Sequence, residues 1–352
     1  MDSFPNKLGL PKARSAVILL VDGLGELNLA SYKAHARFLT TSTTRKGSLR
    51  TVFPSTTSAA LATLTTGSLP GEHGLVGYRV RNPETNALVN QLRDLGTVAA
   101  PMAWAQRDPL YAVAEAAGIT SRVISHPRLV NTPLTSVIHS GTTVEGYSAI
   151  SERFSAATRL VAHAGQYCVL VYISELDEAA HKFGVNSTEW TSLLEQLDRE
   201  CADFVATLPA DVGVLLTADH GVVDVPAHRH VLFGDDPADA KGVELFGGEP
   251  RCLQLYLADP EDRSSVMAHW SHRFGEVAQV YSRDEIITSG RFGVVSTDVD
   301  QRMGDVFVLA TKQVAFYDAR DEALTGRAMI GQHGGLSDDE MRIPAITWGA
   351  YA

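Results

Sequence analysis

Residues 168–217 decide the fold, and they read CVLVYISELDEAAHKFGVNSTEWTSLLEQLDRECADFVATLPADVGVLLT. The stretch opens with an apolar segment, Cys168–Ile173, and closes with another, Val212–Thr217, and both are too continuous to leave one side facing solvent. Between them, apolar residues recur at helical spacing over Thr188–Leu208, and Pro209 follows. A buried strand, a helix and a second buried strand in this order predict a βαβ unit with parallel strands.

Two further apolar segments of the same kind, Ala16–Val21 and Arg122–Ser125, repeat the pattern. We therefore predict an α/β fold, with a doubly wound, mostly parallel sheet and helices on both faces. The region from about 225 to 305 differs, and we predict a small α+β insertion there in a single catalytic α/β domain of residues 1–352. In this region, and just after it, we predict strands at Cys252–Leu257, Val277–Tyr281 and Val306–Thr311 and a helix at Val266–Phe274.

The composition bears on the class of protein. The chain has 352 residues, with 30 Lys and Arg against 41 Asp and Glu, which gives a net charge of −11. A chain this acidic is not expected to bind nucleic acids in bulk through their phosphate backbone. The run Ala16–Val21 ends at Asp22 and is too short for a membrane span or a signal peptide, so we expect neither. Three widely spaced cysteines, Cys168, Cys201 and Cys252, do not suggest a disulfide framework, and we predict a cytoplasmic location.

Several common nucleotide-binding and hydrolase motifs are missing from the sequence. Asp22-Gly23-Leu24-Gly25 follows the first predicted strand, but Asn28 stands where a dinucleotide-binding fingerprint needs its third glycine. The chain also has no G-x-x-x-x-G-K-[ST] loop, no G-x-S-x-G elbow and no H-E-x-x-H helix. Nucleotide binding by a phosphate loop, α/β-hydrolase chemistry and zincin chemistry are therefore disfavoured.

Carboxylates and histidines follow the predicted strands. These side chains are Asp22, Asp177, His181, Asp219, His220 and His333. Because α/β sheets bind ligands at the carboxyl ends of their strands, we expect these side chains to meet there. Carboxylate oxygen and imidazole nitrogen suit two divalent cations, with Zn²⁺ as the first choice and Mn²⁺ as the second. Two such ions would outweigh the three carboxylates by one positive charge, which would let an acidic protein hold a phosphate anion.

A hydroxyl-rich segment precedes a short predicted helix. Phe53-Pro54-Ser55-Thr56-Thr57-Ser58 leads into the small, apolar residues of Ala59–Thr66, and Gly67 is typical of a helix C-terminus. Thr56 or Thr57 then stands at the helix N-terminus. There a threonine can cap the helix, or it can act as a nucleophile toward a phosphate that the positive end of the helix favours.

Taken in order, these motifs resemble the alkaline phosphatase superfamily, and specifically its nucleotide pyrophosphatase/phosphodiesterase branch. The resemblance runs from Asp22 to His333 and implies an alkaline-phosphatase-like fold. It implies one metal site formed by Asp22, Thr57, Asp219 and His220 and a second formed by Asp177, His181 and His333.

The same resemblance chooses between the two threonines. The spacing from Pro54 and to the segment TGSLPGEHG at 66–74 matches Thr57 to the family's nucleophile, which leaves Thr56 as a packing or capping residue. His73, within that segment, is implied to be structural and not a metal ligand.

One position departs from the family pattern. Relatives of the eukaryotic type carry an Asn that contacts a phosphoryl oxygen, and this chain has Tyr78 there. A phenol can donate one hydrogen bond, so Tyr78 is a candidate substrate contact. Other candidate contacts, each also typical of a solvated surface, are Lys46, Arg79, Arg81, His228 and His230.

The resemblance implies a two-metal hydrolase that cleaves phosphodiester or pyrophosphate bonds, with nucleotide-type substrates favoured, through a phospho-threonine intermediate. Its partner would be a small phosphate ester, and the sequence does not indicate the oligomeric state. Thr57 favours the diesterase branch, since alkaline phosphatases proper use Ser, and the Cys-x-Pro-x-Arg segment of sulfatases is absent. The alternatives are a phosphomonoesterase, a phosphonoacetate-type hydrolase or a phosphomutase of the same superfamily and, from another class, a non-enzymatic metal-binding scaffold.

Overall fold

The computed structural model describes residues 6–41, 45–321 and 325–352. In chain order its strands are β1 (Ser15–Val21), β2 (Arg45–Arg50), β3 (Arg79–Asn82), β4 (Ala87–Asn90), β5 (Ile119–Ser125), β6 (Thr143–Gly146), β7 (Gln166–Ile173), β8 (Val212–Thr217), β9 (Val223–Asp224), β10 (His230–Phe233), β11 (Val243–Glu249), β12 (Cys252–Leu257), β13 (Ala278–Ser282), β14 (Val306–Ala310), β15 (Ala315–Asp318), β16 (Gly331–Gln332) and β17 (Arg342–Gly349). Its α-helices are α1 (Glu26–Ser31), α2 (Arg37–Thr41), α3 (Thr57–Thr66), α4 (Pro70–His73), α5 (Pro101–Trp104), α6 (Tyr111–Ala116), α7 (Pro133–Ile138), α8 (Ile150–Ala162), α9 (Glu175–Phe183), α10 (Thr188–Ala206), α11 (Arg263–Phe274), α12 (Arg283–Thr288), α13 (Thr297–Asp300) and α14 (Asp338–Met341).

The central sheet joins seven strands of the described residues in the order β2-β17-β8-β1-β7-β5-β6. β8, β1, β7, β5 and β6 run parallel, whereas β17 is antiparallel to both of its neighbours. The four strands predicted from apolar runs are β1, β5, β7 and β8, which lie side by side in this sheet. The predicted α/β fold with a mostly parallel sheet is therefore confirmed.

Apolar side chains cover both faces of the central sheet. Val17 and Leu19 of β1 belong to a core cluster that also includes Trp190 of α10. Leu20, one residue along the strand, belongs to a second cluster together with Leu61 of α3. Because successive side chains of a strand point to opposite faces, β1 is buried on both sides, as its continuous apolar sequence indicates.

The helices end close to where the sequence predicts. α10 runs from Thr188 to Ala206, and the Ser187 hydroxyl caps it by accepting a hydrogen bond from the Trp190 amide at 3.1 Å. α3 ends at Thr66, and its C-cap is Gly67, whose φ of 69° lies in the left-handed region that glycine adopts without strain.

No described helix has both the length and the apolar character needed to cross a membrane.

The sequence analysis does not predict β2 and β17. Pro344 lies inside β17, and proline within a strand usually argues against a central position because it lacks an N–H group. In the structure Pro344 is opposite Ser48 of β2, while the pairing of β17 with β8 begins only at Ile346. The proline therefore leaves the hydrogen bonds between β17 and β8 intact.

A smaller antiparallel sheet, which we call the small sheet, joins four strands of the described chain in the order β11-β12-β14-β13. The predicted strand Cys252–Leu257 is β12 with the same bounds, and the predicted helix Val266–Phe274 lies within α11. Trp270 of α11 packs in the core of this sheet. Treating this region as an insertion in one catalytic domain stays a prediction.

Candidate active site

The three carboxylates of the predicted metal sites lie at one edge of the central sheet. Asp22 directly follows β1, Asp219 follows β8 by two residues, and Asp177 lies in the first turn of α9, just after β7. Because β8, β1 and β7 are neighbours, their carboxyl ends bring these side chains together. The residues are 4%, 2% and 8% exposed, respectively, so the carboxylates are almost shielded from water.

His220 lies at the centre of the first group of predicted ligands. Its Nε2 atom is 3.5 Å from Oδ1 of Asp22 and 3.4 Å from Oδ2 of Asp219. The same atom is 3.2 Å from the hydroxyl oxygen of Thr57 at the start of α3. The structure thus gathers all four residues of the first predicted site around one nitrogen atom.

The second group of predicted ligands adjoins the first. Nε2 of His181 is 3.1 Å from Oδ2 of Asp177, one turn earlier on α9, as the i, i+4 spacing predicts. The ring of His333 lies 5.3 Å from that of His181 and is stacked on that of His220, with centroids 3.7 Å apart. His220 therefore borders both groups, a closeness that the sequence analysis does not anticipate.

Backbone carbonyls orient the two histidines of the second group. Nδ1 of His181 is 2.7 Å from the Gly331 carbonyl oxygen, and Nδ1 of His333 is 2.8 Å from that of Ser55. An Nδ1–H that donates to a carbonyl leaves the Nε2 lone pair available for a metal ion.

The donor atoms fit divalent cations. One group of ligand atoms within 4.8 Å of one another comes from Asp22, Asp219 and His220, and another comes from Asp177, His220 and His333. Oδ1 of Asp22, Oδ1 of Asp177 and Oδ2 of Asp219 are buried and accept no hydrogen bond from the described residues. Since buried acceptors are rarely left unpaired, these oxygens are suited to metal coordination. The number and identity of the metal ions remain predictions.

Burial sets the charges of these groups. It raises the pKa of Asp22 well above its usual range, and the neighbouring charges of Asp219 and Asp177 raise it further. Burial also raises the pKa of Asp219 to about 6. Burial lowers the pKa of His220 to about 4 and that of His333 to about 3, which favours the neutral imidazoles that bind metals.

Asp177 and His181 stabilise each other's charge. Burial alone would raise the pKa of Asp177, but the adjacent His181, with His333 and His220 nearby, holds it below the usual range. Burial would lower the pKa of His181, and Asp177 outweighs that effect and raises it. The pair is therefore a carboxylate and an imidazole whose charges depend on each other.

With this geometry established, similarity to known proteins becomes informative. Residues 16–336 match the family of type I phosphodiesterases and nucleotide pyrophosphatases. The chain belongs to this family. The match includes every residue of the two groups of ligands, and it confirms the resemblance on which the sequence analysis draws.

Solved structures support the phosphodiesterase-family fold. An inactive threonine-to-alanine variant of murine ectonucleotide pyrophosphatase/phosphodiesterase 5 in complex with AMP superposes with a TM-score of 0.74 at 14% identity, covering 96% of this chain and 88% of that one. Phosphonoacetate hydrolase from Sinorhizobium meliloti 1021 in complex with phosphonoformate gives a TM-score of 0.73 at 18% identity, covering 96% and 91%. At these identities the similarity shows the fold alone.

A curated relative matches a shorter part of this phosphodiesterase-family chain. A calcium-transporting ATPase of Myroides odoratus is 28% identical over 130 residues. That alignment covers 34% of this chain and 23% of the relative, so the matched segment spans less than a quarter of the length of that protein.

The two threonines of the family's nucleophile segment face different surroundings. Thr57 is the first residue of α3 and faces His220, whereas Thr56 holds the N-cap position without a side-chain capping bond. The side chain of Thr56 is instead buried in the protein, with 2% exposure. Of the two roles considered for Thr56, packing and capping, its burial and the lack of a side-chain capping bond favour packing.

The sequence analysis misses Glu249. Its Oε1 accepts a hydrogen bond from the Tyr78 amide at 2.9 Å, and its Oε2 is buried against Gly334, where an added Cβ would come within 1.9 Å. Burial raises the pKa of Glu249 to about 8, so the acid is largely protonated at neutral pH. No motif marks Glu249, because it reaches the site from the small sheet, far away in sequence.

Tyr172 is also missed. Its hydroxyl donates a hydrogen bond to Oδ2 of Asp22, and so it fixes the carboxylate at the end of the adjacent strand. The one sequence signal is that Tyr172 is a polar aromatic residue within an otherwise apolar run. Glu175, two residues before Asp177, is partly exposed and forms an ion pair with the buried Arg153.

The other predicted contacts lie in different places. The side chain of Tyr78 lines the cavity at the site. Arg81 donates hydrogen bonds to the Gln301 carbonyl, and Arg79 is exposed outside the cavity lining. The side chain of Lys46 lies outside the described residues. The remaining candidates do not adjoin the metal-ligand groups: His228 and His230 line a separate shallow depression, and His73 is buried with Nε2 3.0 Å from the Thr63 hydroxyl.

A cavity of about 500 Å³ opens at the predicted ligands of this phosphodiesterase-family protein. Its polar end includes Asp22, Thr57 and His333, and two exposed arginines, Arg93 and Arg128, also line it. Most of the remaining wall is apolar. The volume is in the usual range for a small-molecule site.

Proposed function

We propose that the chain is a two-metal hydrolase that cleaves phosphodiester or pyrophosphate bonds through a phospho-threonine intermediate at Thr57. The observation that carries this proposal is the position of the Thr57 hydroxyl. It lies 3.2 Å from Nε2 of His220, in a cavity that also exposes Asp22 and Asp177. A hydroxyl among this many metal-binding groups is suited to nucleophilic attack on phosphorus.

Seven residues would hold the two cations, as the family resemblance implies. One cation would be held by Asp22, Thr57, Asp219 and His220. The other would be held by Asp177, His181 and His333, which lie next to one another. When bound, divalent ions would neutralise the charge of the phosphoryl group and lower the pKa of a coordinated hydroxyl. We propose Zn²⁺ as the ion, with Mn²⁺ as the alternative.

The residues of the chain account for the covalent route. Oγ1 of Thr57 would form a bond to phosphorus as the bond to the leaving oxygen breaks, and water would later hydrolyse the phospho-threonine. Because Thr57 begins α3, the amides of the first turn and the positive end of the helix dipole would favour the transferred group there. We also propose Tyr78 as a substrate contact, since its side chain lines the same cavity.

The proposed substrate is a small phosphate ester. The resemblance favours nucleotide-type esters, and the murine relative named above was solved with AMP, whereas the bacterial one was solved with phosphonoformate. A phosphonoacetate-type hydrolase, a phosphomonoesterase and a phosphomutase remain the alternatives within the superfamily. The cytoplasmic location stays a prediction.

A comparison of two chromogenic substrates tests the proposal. We expect zinc-loaded protein to hydrolyse bis-(p-nitrophenyl) phosphate with a higher kcat/KM than p-nitrophenyl phosphate. The reverse order would place the protein among the monoesterases, and phosphonoacetate as the best substrate would place it among the phosphonoacetate hydrolases. Binding of metal with no turnover of any of these would indicate a non-enzymatic scaffold.

A further inference from the structure

The cavity at Thr57 extends into a space with apolar walls, which we call the apolar chamber. Its walls are Leu61 of α3, Val123 of β5, Leu134 and Ile138 of α7, and Leu170 of β7. All five residues belong to the second core cluster and are between 0% and 6% exposed. The chamber is therefore a space within the hydrophobic core that remains open to the site.

The chamber and the proposed nucleophile are adjacent. Leu61 lies one helical turn after Thr57 on α3, so the two side chains share a face of that helix. Val123 and Leu170 are paired across β5 and β7, on the same face of the central sheet as Leu61. A group attached to a phosphoryl centre at Thr57 could therefore enter the chamber directly.

An apolar space of this size favours the binding of an apolar group over filling by water. Protein interiors pack about as densely as organic crystals and contain few voids larger than a water molecule. The whole cavity measures about 500 Å³, and Leu, Ile and Val side chains form the chamber walls. Water gains few hydrogen bonds against such walls, whereas a hydrocarbon group gains both burial and dispersion contacts.

Three polar side chains on this side of the cavity, those of Thr132, Thr135 and His139, are already paired within the protein. The Thr132 hydroxyl donates to the Thr135 hydroxyl at 2.9 Å, which in turn donates to the Leu129 carbonyl at 2.7 Å. Nδ1 of His139 is 2.8 Å from the Tyr111 hydroxyl. A nucleobase entering here would lose water from its polar edge without gaining these partners, which costs binding free energy.

Charge is confined to the rim and the metal-ligand end. Arg128 is about half exposed and forms an ion pair with Glu178 of α9, and Arg93 is exposed in the turn after β4. The cavity thus pairs an anion-binding end with a hydrocarbon-binding end. This is the complement of an amphiphilic phosphoester.

We propose that the apolar chamber binds a hydrocarbon substituent of the phosphoester substrate and so selects amphiphilic phosphoesters over nucleotides. The inference rests on the proposed function in one respect, namely that the phosphoryl group is bound beside Thr57. It narrows the substrate class and departs from the nucleotide-type preference that the family resemblance favours.

Binding of alkylphosphonates tests the inference without requiring turnover. Methyl-, butyl- and octylphosphonate carry one hydrocarbon group each, and their dissociation constants on zinc-loaded protein can be measured by calorimetry, with thymidine 5′-monophosphate for comparison. We expect affinity to rise about threefold to fourfold per methylene group until the chamber is full. Octylphosphonate should then bind more tightly than the nucleotide. Equal affinity across the series, or tightest binding of the nucleotide, would overturn the inference.

Val144 also lines the cavity and packs against the second core cluster, so a variant there with a matched control localises the effect. Val144→Phe, on the edge strand β6, adds an aromatic ring to the cavity wall, and Val113→Phe adds the same ring at a residue of α6 that is 51% exposed and outside the lining. Val144→Phe should collapse the octyl-to-methyl affinity ratio at least tenfold, and Val113→Phe should leave it as in wild type. An unchanged ratio in a folded Val144→Phe protein contradicts the inference.

The same experiments separate the inference from the proposed function. Turnover of bis-(p-nitrophenyl) phosphate with a flat alkylphosphonate series rejects the chamber and keeps the hydrolase. A steep series without any turnover keeps the chamber and rejects the hydrolase. The wild-type series decides even if Val144→Phe does not fold.

Discussion

At positions 56 and 57, two identical side chains have different surroundings. We expect Thr57→Ala to lower kcat by several orders of magnitude while the protein stays folded, because the covalent route is lost and the carboxylates and imidazoles remain. Thr56→Ala should lose about 1 kcal/mol of stability, since it removes packed atoms from a side chain that is 2% exposed. Measuring kcat and Tm for both variants decides the assignment. Near-normal rates in Thr57→Ala would show that the mechanism is not covalent.

Glu249 predicts a pH dependence of stability. Burial raises its pKa from 4.5 to about 8, so between these values the native state holds a proton that the unfolded state has released. Native stability contributed by this group therefore falls as pH rises from 5 to 8, by an upper limit on the order of 4 kcal/mol. Glu249→Gln is neutral throughout, so its Tm relative to wild type should rise as pH rises. Parallel Tm profiles for the two proteins would contradict the assignment of a neutral Glu249.

Replacing His333 tests the assignment of the two metal sites through the zinc content per chain. Reloading stripped wild-type protein with zinc should give about two ions per chain by elemental analysis. His333→Ala should retain about one, because only one predicted site loses a ligand. His35→Ala is the matched control, since His35 is partly exposed and its Nδ1 lies 2.7 Å from a carboxylate oxygen of Glu195, outside both groups of ligands. A wild-type content of zero or one would reject the two-site assignment.

At the scale of a single element, the residue after α3 allows the cost of a left-handed backbone to be measured without a steric clash. Gly67 has φ of 69°, and an added Cβ would meet only Leu110, at an ordinary 3.5 Å. Gly67→Ala should therefore cost about 1 kcal/mol through the left-handed backbone and not through a clash. Gly67→Asn should cost less, since Asn tolerates this region better. Denaturant unfolding of both variants measures the difference, and a larger loss for Asn would contradict this explanation.

Elements of the sheet differ in how well the sequence predicts them. β1, β5, β7 and β8 are predicted because burial on both faces demands uninterrupted apolar residues. β2 and β17 are not, because β2 carries Arg45 and Lys46 and β17 contains Pro344. In these strands the pairing partner, which is remote in sequence, outweighs the local preference.

For the whole molecule, metal binding should stabilise the fold. Three buried carboxylates meet at one sheet edge, and burial, together with the charges of Asp219 and Asp177, raises the pKa of Asp22. A ligand that binds only the native state adds about 2.7 kcal/mol at one hundred times its dissociation constant. Chelation should thus lower Tm by several degrees and zinc should restore it, measured by calorimetry. Identical Tm values with and without zinc would argue against native metal sites.

Across the molecule, the sequence predicts best those site residues that follow a strand or share one face of a helix. Asp22 and Asp219 are predicted because they lie within two residues of the end of a buried strand, and Asp177 with His181 because of their helical spacing. Glu249, Tyr172 and the apolar chamber are not found, since each depends on how distant segments pack.

The apolar chamber has a consequence for evolution and engineering. Its walls are core residues, so the protein forgoes contacts there that a filled core would supply, and its native state is less stable than the same fold without the chamber. Stability and activity are thereby placed in conflict at one location. Directed evolution for heat resistance should enrich larger side chains around Leu134 and Ile138. Such thermostable variants should lose activity toward amphiphilic phosphoesters.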